Sequence, residues 1–331
     1  MVSYLSEDVL TNAMHHACTA ARDWLGATTP NPPVGAVALD SAGNILATAA
    51  HVKAGSPHAE AALLRNCREH GLLEKIHTLA VTLEPCNHQG RTPPCTKAIL
   101  DAGVRYIAIG ALDPNPDVTG GGAKMLRDHG VTVTESVALD ICQQLIAVFA
   151  TAKLRQRPWV TVKRAFNARG SMIPPQGRKT FTSPDSLVLA HKLRKKADAI
   201  ITGSGTVHTD GPLFTVRHVR DYPDKKRFLA IGDRRRAVSQ EYLAEAAKRG
   251  FYTLIFDSLE QVIADLFSRG AQDILVEAGP TLSQHILDGN LWHMLVDIHA
   301  GNPDHVTTTL NPNMEMPFDR TAFDLNHLLP V

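Results

Sequence analysis

The apolar run TLAVTL (78–83) leads into the polar, proline-bracketed loop EPCNHQGRTPPC, and that loop opens into the helical pattern CTKAILDAG. A strand running toward one cysteine and a helix beginning on another fix both the direction of the chain and its fold class. VRYIAIG reads as the next strand, and Gly120 to His129 with VTVT add a further helix and strand. Upstream, Ser6 is followed by Val9, Leu10, Ala13, Met14, Ala17, Ala20, Ala21, Trp24 and Leu25 at helical spacing, and the pattern stops at Gly26. VGAVALD and ILATAA, joined by SAGN, predict a hairpin, while His58 to Glu69, halting at Gly71, predicts a helix. Helices and strands alternating in this way pack as an α/β sandwich, here complete near residue 140.

Strands recur at WVTVKRA, ADAIITG, RFLAIG, YTLIFD and DILVEAG, with helical patterns at Ser186 to Lys196 and Leu259 to Ser268 between them. The second half is therefore another α/β domain, as a length of 331 residues already suggests. The expected division is 1–148 and 149–331, near a poorly patterned joint at Arg155, Gln156, Arg157 and Pro158, with the stretch from Asn302 a loop or tail. With 34 Lys and Arg against 33 Asp and Glu, the net charge of +1 gives no field to steer the chain onto nucleic acid or an anionic membrane. No uninterrupted apolar stretch approaches the roughly 18 residues of a membrane span, and MVSYLSEDVL lacks the character of a secretion signal. A soluble, cytoplasmic protein is expected.

Five cysteines, few and odd in number, fit a reduced compartment in which Cys is a metal ligand, a reactive thiol or a small core residue rather than half of a disulfide. Cys18, Cys67 and Cys142 read as helix-face residues, and His15 and His16 as a surface pair. Cys86 and Cys95 have company in PHAEAA, which places His58 and Glu60 two apart at the start of a helix. One imidazole and two thiolates suit zinc, and three ligands are the open, catalytic number, because a structural site closes its tetrahedron with four. Glu60 then has a separate role. Zinc lowers the pKa of its water toward about 7, and a carboxylate beside the ligand can take that proton and return it to a leaving amine. The pattern follows the zinc-deaminase signature H-x-E…P-C-x-x-C, except that eight residues separate the two cysteines.

The long loop C-N-H-Q-G-R-T-P-P-C closely resembles that of the bifunctional riboflavin-biosynthesis deaminase-reductases. The resemblance extends through TPNPPVGAV, HVKAGSPHAE, VTLEPC and DPNPDVTGGG, over roughly residues 8 to 140. It implies a cytidine-deaminase-like α/β/α sandwich, zinc on His58, Cys86 and Cys95, proton shuttling by Glu60, and substrate contacts from Asn31, His51, Arg91, Asp113 and Asn115. The implied substrate is a phosphorylated diamino-pyrimidinone that loses its ring 2-amino group. Arg91 can meet the phosphate.

Residues 158 to 290 resemble the same family's reductase half, a dihydrofolate-reductase-like α/β domain using NADPH, through PWVTVK, TSPDS, KADAIITGSGTVHTDGPLFTVR and ILVEAGPTL. The resemblance implies cofactor binding by Thr206, Asp210, Gly279, Pro280, Thr281 and Leu282, and substrate binding by Lys163, Arg194, Arg217 and Glu277. It also implies a homo-oligomer. The chain departs from the family pattern at Arg169, where an acidic residue is usual, at Thr180 in place of a tryptophan, and at IHAGNPDH in place of a Gly-rich strand and loop. These departures leave open a deaminase of another pyrimidine-like metabolite carrying a vestigial reductase domain. The clusters at 192–196, 225–227 and 234–236 read as solvated basic faces, and an aromatic content of 5% offers few platforms for stacking nucleic-acid bases.

Overall fold

Strands covered by helices on both faces carry apolar or small residues throughout, and GAVAL (35–39) and TLAVTL (78–83) are buried along their whole lengths. The computed structural model describes residues 4–88, 93–115, 121–174 and 180–331. Two compact units divide the chain, Met1–Arg155 with Pro317–Val331, and Gln156–Met316.

The first unit runs α1 (Glu7–Arg22), β1 (Gly35–Leu39), β2 (Ile45–Ala50), α2 (Ala59–Glu69), β3 (Thr78–Leu83), α3 (Cys95–Asp101), β4 (Tyr106–Ala111), α4 (Gly122–Asp128), β5 (Thr132–Thr134), α5 (Leu139–Leu145) and α6 (Ala147–Arg155). Its sheet has the order β2-β1-β3-β4-β5. The hairpin strands β1 and β2 are antiparallel, β1 is antiparallel to β3, and β3, β4 and β5 are parallel. Side chains alternate between the two faces with period two. Val37, Leu39 and Ala80 pack beneath Met14, Ala17 and Cys18 of α1 and Cys142 of α5, while Ala36, Ala38, Leu79 and Val81 face Leu63, Leu64 and Cys67 of α2 and Ile99 of α3. The three cysteines outside the loop are thus core residues, with the sulfurs of Cys18 and Cys142 3.7 Å apart. His15 and His16 are exposed.

The second unit runs β6 (Trp159–Phe166), α7 (Pro184–Lys196), β7 (Ala199–Gly203), α8 (Ser204–Asp210), β8 (Arg227–Gly232), α9 (Gln240–Lys248), β9 (Phe251–Phe256), α10 (Leu259–Ser268), β10 (Asp273–Val276), α11 (Pro280–Asp288), β11 (Met294–His299) and β12 (His305–Leu310). Its sheet order is β12-β11-β6-β10-β7-β8-β9, parallel except for the β11–β12 pair. Helix starts follow local chemistry: Ser183 caps α7, with Pro184 in its first turn, and Ser258 caps α10.

Three expectations are corrected. The sandwich of the first unit does not finish near 140. It continues through α5 and α6 to Arg155, and the segment AVFATAKLR escapes a periodicity reading because it buries Ala147, Phe149, Ala150, Thr151 and Ala152 rather than one stripe. The stretch from Asn302 is not all loop or tail. HVTTTL is an edge strand whose polar, exposed face hides its β-branched character. Residues 317–331 belong to the first unit, not the second. There the buried Gln144 donates to the Ala322 carbonyl at 2.8 Å and accepts from the Asp324 amide at 2.9 Å, and Arg22 donates to the Leu329 carbonyl at 3.1 Å.

Helix α1 crosses β1 at Gly35, where an added Cβ would collide with the backbone carbonyl of Ala17. Neither backbone can yield, so Gly35→Ala is expected to destabilise the first unit by about 1–3 kcal/mol or more, lowering its midpoint in urea or thermal denaturation.

Candidate active sites

Because β3 and β4 are parallel neighbours, with Leu83 opposite Ala111, their carboxyl ends deliver Glu84 and Cys86 and then Asp113 and Asn115 to one edge of the sheet. Crevices outside the carboxyl ends of parallel strands are where α/β proteins hold ligands. His58 is the N-cap residue of α2, Glu60 lies in that helix's first turn, and Cys95 is the first residue of α3. Two helix N-termini and one strand end therefore converge. The Cys95 amide points at the Cys86 sulfur at 3.3 Å, a contact that favours thiolate. A cleft of about 500 Å³ opens here, lined by Asn31, His51, His58, Glu60, Cys86, Asp113 and Asn115 among others.

His58 Nδ1 stands 3.6 Å from Cys86 Sγ and 3.4 Å from Cys95 Sγ. Among the described residues these three form a group whose ligand atoms all lie within 4.8 Å of one another. Tetrahedral zinc, about 2.0–2.1 Å from nitrogen and about 2.3 Å from sulfur, sets such a nitrogen–sulfur pair about 3.5 Å apart. The donor set fits zinc in kind and in spacing. Hydrogen bonding with Cys95, and then His58, draws the Cys86 thiol down, while the same Cys86 contact and burial push Cys95 up. Glu60 is 3% exposed, and its burial raises the carboxyl to about 7. A carboxyl in that range can both hold and release a proton near neutrality.

His51 is buried and kept neutral by desolvation. Its Nδ1 lies 3.1 Å from the Pro57 carbonyl, which can only accept, so Nδ1 carries the hydrogen and Nε2 accepts from Asn31 Nδ2 at 3.2 Å. Asn31 is thereby oriented at the cleft wall. Asp113 accepts from the Asn115 amide at 2.9 Å. Of the residues expected to contact the deaminase substrate, four line this cleft, and the fifth, Arg91, lies outside the described residues.

Sequence reasoning did not single out Glu84, although it stands in VTLEPC. Its two oxygens accept from the Asp113 and Ala123 amides at 3.2 and 2.9 Å, tying the β4 end to the start of α4. Phe149 and Lys153 of α6 also line the cleft. They fell beyond the expected end of the sandwich, and no motif marks them.

In the second unit, Glu277 follows β10 and is 5% exposed. Arg194 of α7 grips it with Nε at 2.5 Å and Nη2 at 3.1 Å, and Lys163 of β6 reaches it at 3.1 Å. Burial alone would raise this carboxyl, but Arg194 and Lys163 overcome it and hold Glu277 down to about 2. Three of the four expected reductase-substrate residues thus meet. The fourth, Arg217, is connected through His191, which faces Arg194 Nη1 at 3.4 Å and accepts from the Arg217 amide at 2.8 Å. Burial, and then the charges of Arg194 and Arg217, keep this unforeseen histidine neutral, with a pKa of about 4. It lies one turn before Arg194 on α7, and nothing in its sequence surroundings distinguishes it.

β7 and β10 are adjacent and parallel, so Gly203 and Gly279 mark neighbouring carboxyl ends. Gly279 caps α11 and donates its amide to Thr206 Oγ1 at 3.0 Å, and a Cβ at Gly205 would meet open space. In the first turn of α11, which opens on Pro280 with no N–H of its own, the amides of Thr281 and Leu282 lack an intrahelical acceptor and suit a phosphate of a dinucleotide. Asp210 lies one turn beyond Thr206 and is exposed. Arg169 stands on an exposed turn. The departure IHAGNPDH forms the β11–β12 turn, whose Asp304 accepts from the Ser183 amide and Ser186 hydroxyl, both at 2.7 Å, at the start of α7.

Residues 8–111 match the family described as cytidine and deoxycytidylate deaminase zinc-binding region, and residues 158–296 match the RibD C-terminal domain. The riboflavin biosynthesis protein RibD of Aquifex aeolicus is 34% identical over 93% of this chain and 84% of its own, and that of Corynebacterium ammoniagenes is 35% identical over 83% and 81%. The solved Thermotoga maritima diaminohydroxyphosphoribosylaminopyrimidine deaminase/5-amino-6-(5-phosphoribosylamino)uracil reductase superposes with a TM-score of 0.76 at 30% identity, covering 88% of this chain and 87% of that one. On both halves, and along nearly its whole length, the chain belongs to the RibD family of bifunctional riboflavin-biosynthesis deaminase-reductases.

Proposed function

We propose that the first unit hydrolytically deaminates 2,5-diamino-6-(5-phosphoribosylamino)pyrimidin-4-one and that the second reduces the product's ribosyl group to ribityl with NADPH. The observation that carries this reading is the open three-ligand set of His58, Cys86 and Cys95 with a buried carboxylate, Glu60, beside it. When bound, zinc supplies Lewis-acid activation of the attacking water. Glu60 takes a proton from that water and delivers it to the departing amine, so that ammonia leaves and a ring carbonyl remains. Asn31, oriented by neutral His51, and Asp113 with Asn115 hold the ring edge and ribose by hydrogen bonds.

In the second unit NADPH supplies the hydride. Thr206 and the Gly279–Leu282 segment would hold its phosphates at the α11 N-terminus, and Asp210 on the same face of α8 as Thr206 would lie beside it. Lys163, Arg194, Arg217 and Glu277 position the ribosyl phosphate and its hydroxyls. A vestigial domain has no need of a buried carboxylate compensated by two cations, so the intact Lys163–Glu277–Arg194 cluster favours an active reductase over that alternative. Unpaired cysteines serving as metal ligands suit the cytoplasm, and no helix among the described residues is long and apolar enough to cross a membrane. A homo-oligomer is part of the same reading, and nucleic acid is not a partner.

Glu60→Gln is expected to retain about one zinc per chain and to lose ammonia release by about 100-fold or more, the scale of a general acid–base contribution. Undiminished ammonia release with zinc in place would rule out the assigned role. Glu277→Gln leaves two cations facing a neutral amide. It is expected to cut NADPH oxidation by roughly tenfold or more while ammonia release continues, since hydrogen bonds to charged groups are worth about 1.5–3 kcal/mol. Equal NADPH oxidation in the variant and the parent protein would remove Glu277 from the reductase site.

A further inference from the structure

A phosphorylated substrate needs a cation in the cleft that receives it, and the match to the deaminase family stops at residue 111. The walls described above supply amides, imidazoles and carboxylates for a pyrimidine and a ribose. Among the described lining residues, Lys153 is the one lysine or arginine. It comes from α6, the helix that extends the first unit beyond its expected end. Lys153 sits one turn after Phe149, which lines the same cleft, and its Nζ lies 5.8 Å from the center of that ring. Both residues of this helix turn thus line the cleft, with the ammonium over the ring face.

We propose that Lys153 is a specificity-determining residue of the deaminase, pairing with the phosphate of the substrate and so selecting phosphorylated over unphosphorylated pyrimidine ribosides. This rests on the phosphorylated pyrimidine proposed above as substrate. On that reading the amino-bearing ring carbon meets Glu60 and the ribose hydroxyls meet Asp113 and Asn115, which leaves the 5′ phosphate for the ammonium of Lys153 on the same cleft lining. Burial raises the Asp113 carboxyl, as does Glu84, while the charges of His88 and Lys153 oppose that rise, placing the ammonium within electrostatic reach of the ribose-binding wall. An ammonium there serves as a flexible point charge for phosphate.

The test compares the phosphorylated substrate with its dephosphorylated riboside in the zinc-loaded full chain, for the parent protein, Lys153→Gln and Lys153→Arg, with ribose 5-phosphate titrated calorimetrically into each. The ratio of kcat/KM for phosphorylated over dephosphorylated substrate is expected to fall about tenfold in Lys153→Gln, through KM, and to recover in Lys153→Arg. Ribose 5-phosphate binding should weaken in the glutamine variant by a similar factor. An unchanged ratio, or equal loss on both substrates, overturns the proposal, because a merely structural lysine would not discriminate between them. If the parent protein releases no ammonia from either substrate, ribose 5-phosphate decides. Affinity that depends on Lys153 upholds the phosphate contact and discards the assigned reaction, whereas affinity indifferent to Lys153 discards the proposal.

Discussion

The parallel pairing of β3 with β4 is the constraint on which the deaminase cleft depends. It brings two strand ends to the same edge, so that the cysteine loop and the Asp113–Asn115 segment emerge side by side without either having to reach. The helices then supply what strands lack, amide groups aimed outward. Cys86 sits against the N-terminus of α3 and His58 caps α2. Metal ligation and thiolate formation thus draw on backbone at helix starts and a strand end. The close crossing of α1 at Gly35 holds that backbone from the other face.

In the second unit a single short strand carries a buried acid at each end. Asp273 opens β10 and is met by Lys196 at 2.5 Å, and Glu277 follows it and is met by Arg194 and Lys163. The two ends answer burial differently. Desolvation dominates at Asp273, whose carboxyl stays raised despite Lys196, whereas the two cations facing Glu277 reverse the shift. One end is therefore a structural anchor in dry surroundings. The other keeps its negative charge between two cations, Arg194 and Lys163.

Much of this was legible in the sequence because the chemistry and the backbone signals coincide. TLAVTL, the HAE pair and the two cysteines each mark both an element boundary and a ligand, so reading one gives the other. What escaped notice lacks that coincidence. AVFATAKLR is buried on several sides and shows no stripe, so Phe149 and Lys153 were invisible as cleft residues. His191 acts by accepting a backbone amide from Arg217, a partner 26 positions away, and no spacing rule registers such a contact. HVTTTL reads as loop because an edge strand has one bare side, and residues 317–331 read as tail because hydrogen bonds to Gln144, rather than a periodic apolar face, hold them.

Those last fifteen residues make the second unit an insertion in the first: the chain leaves the first unit after Arg155 and returns to it at Pro317. Severing the 155–156 joint would not free a reductase fragment, since the downstream piece ends in a segment lodged in the deaminase unit, with Leu328 and Leu329 buried there. A protease nick or a gene split at the apparent domain border would meet the same difficulty, that the first unit is finished by residues 317–331, which follow the whole of the second.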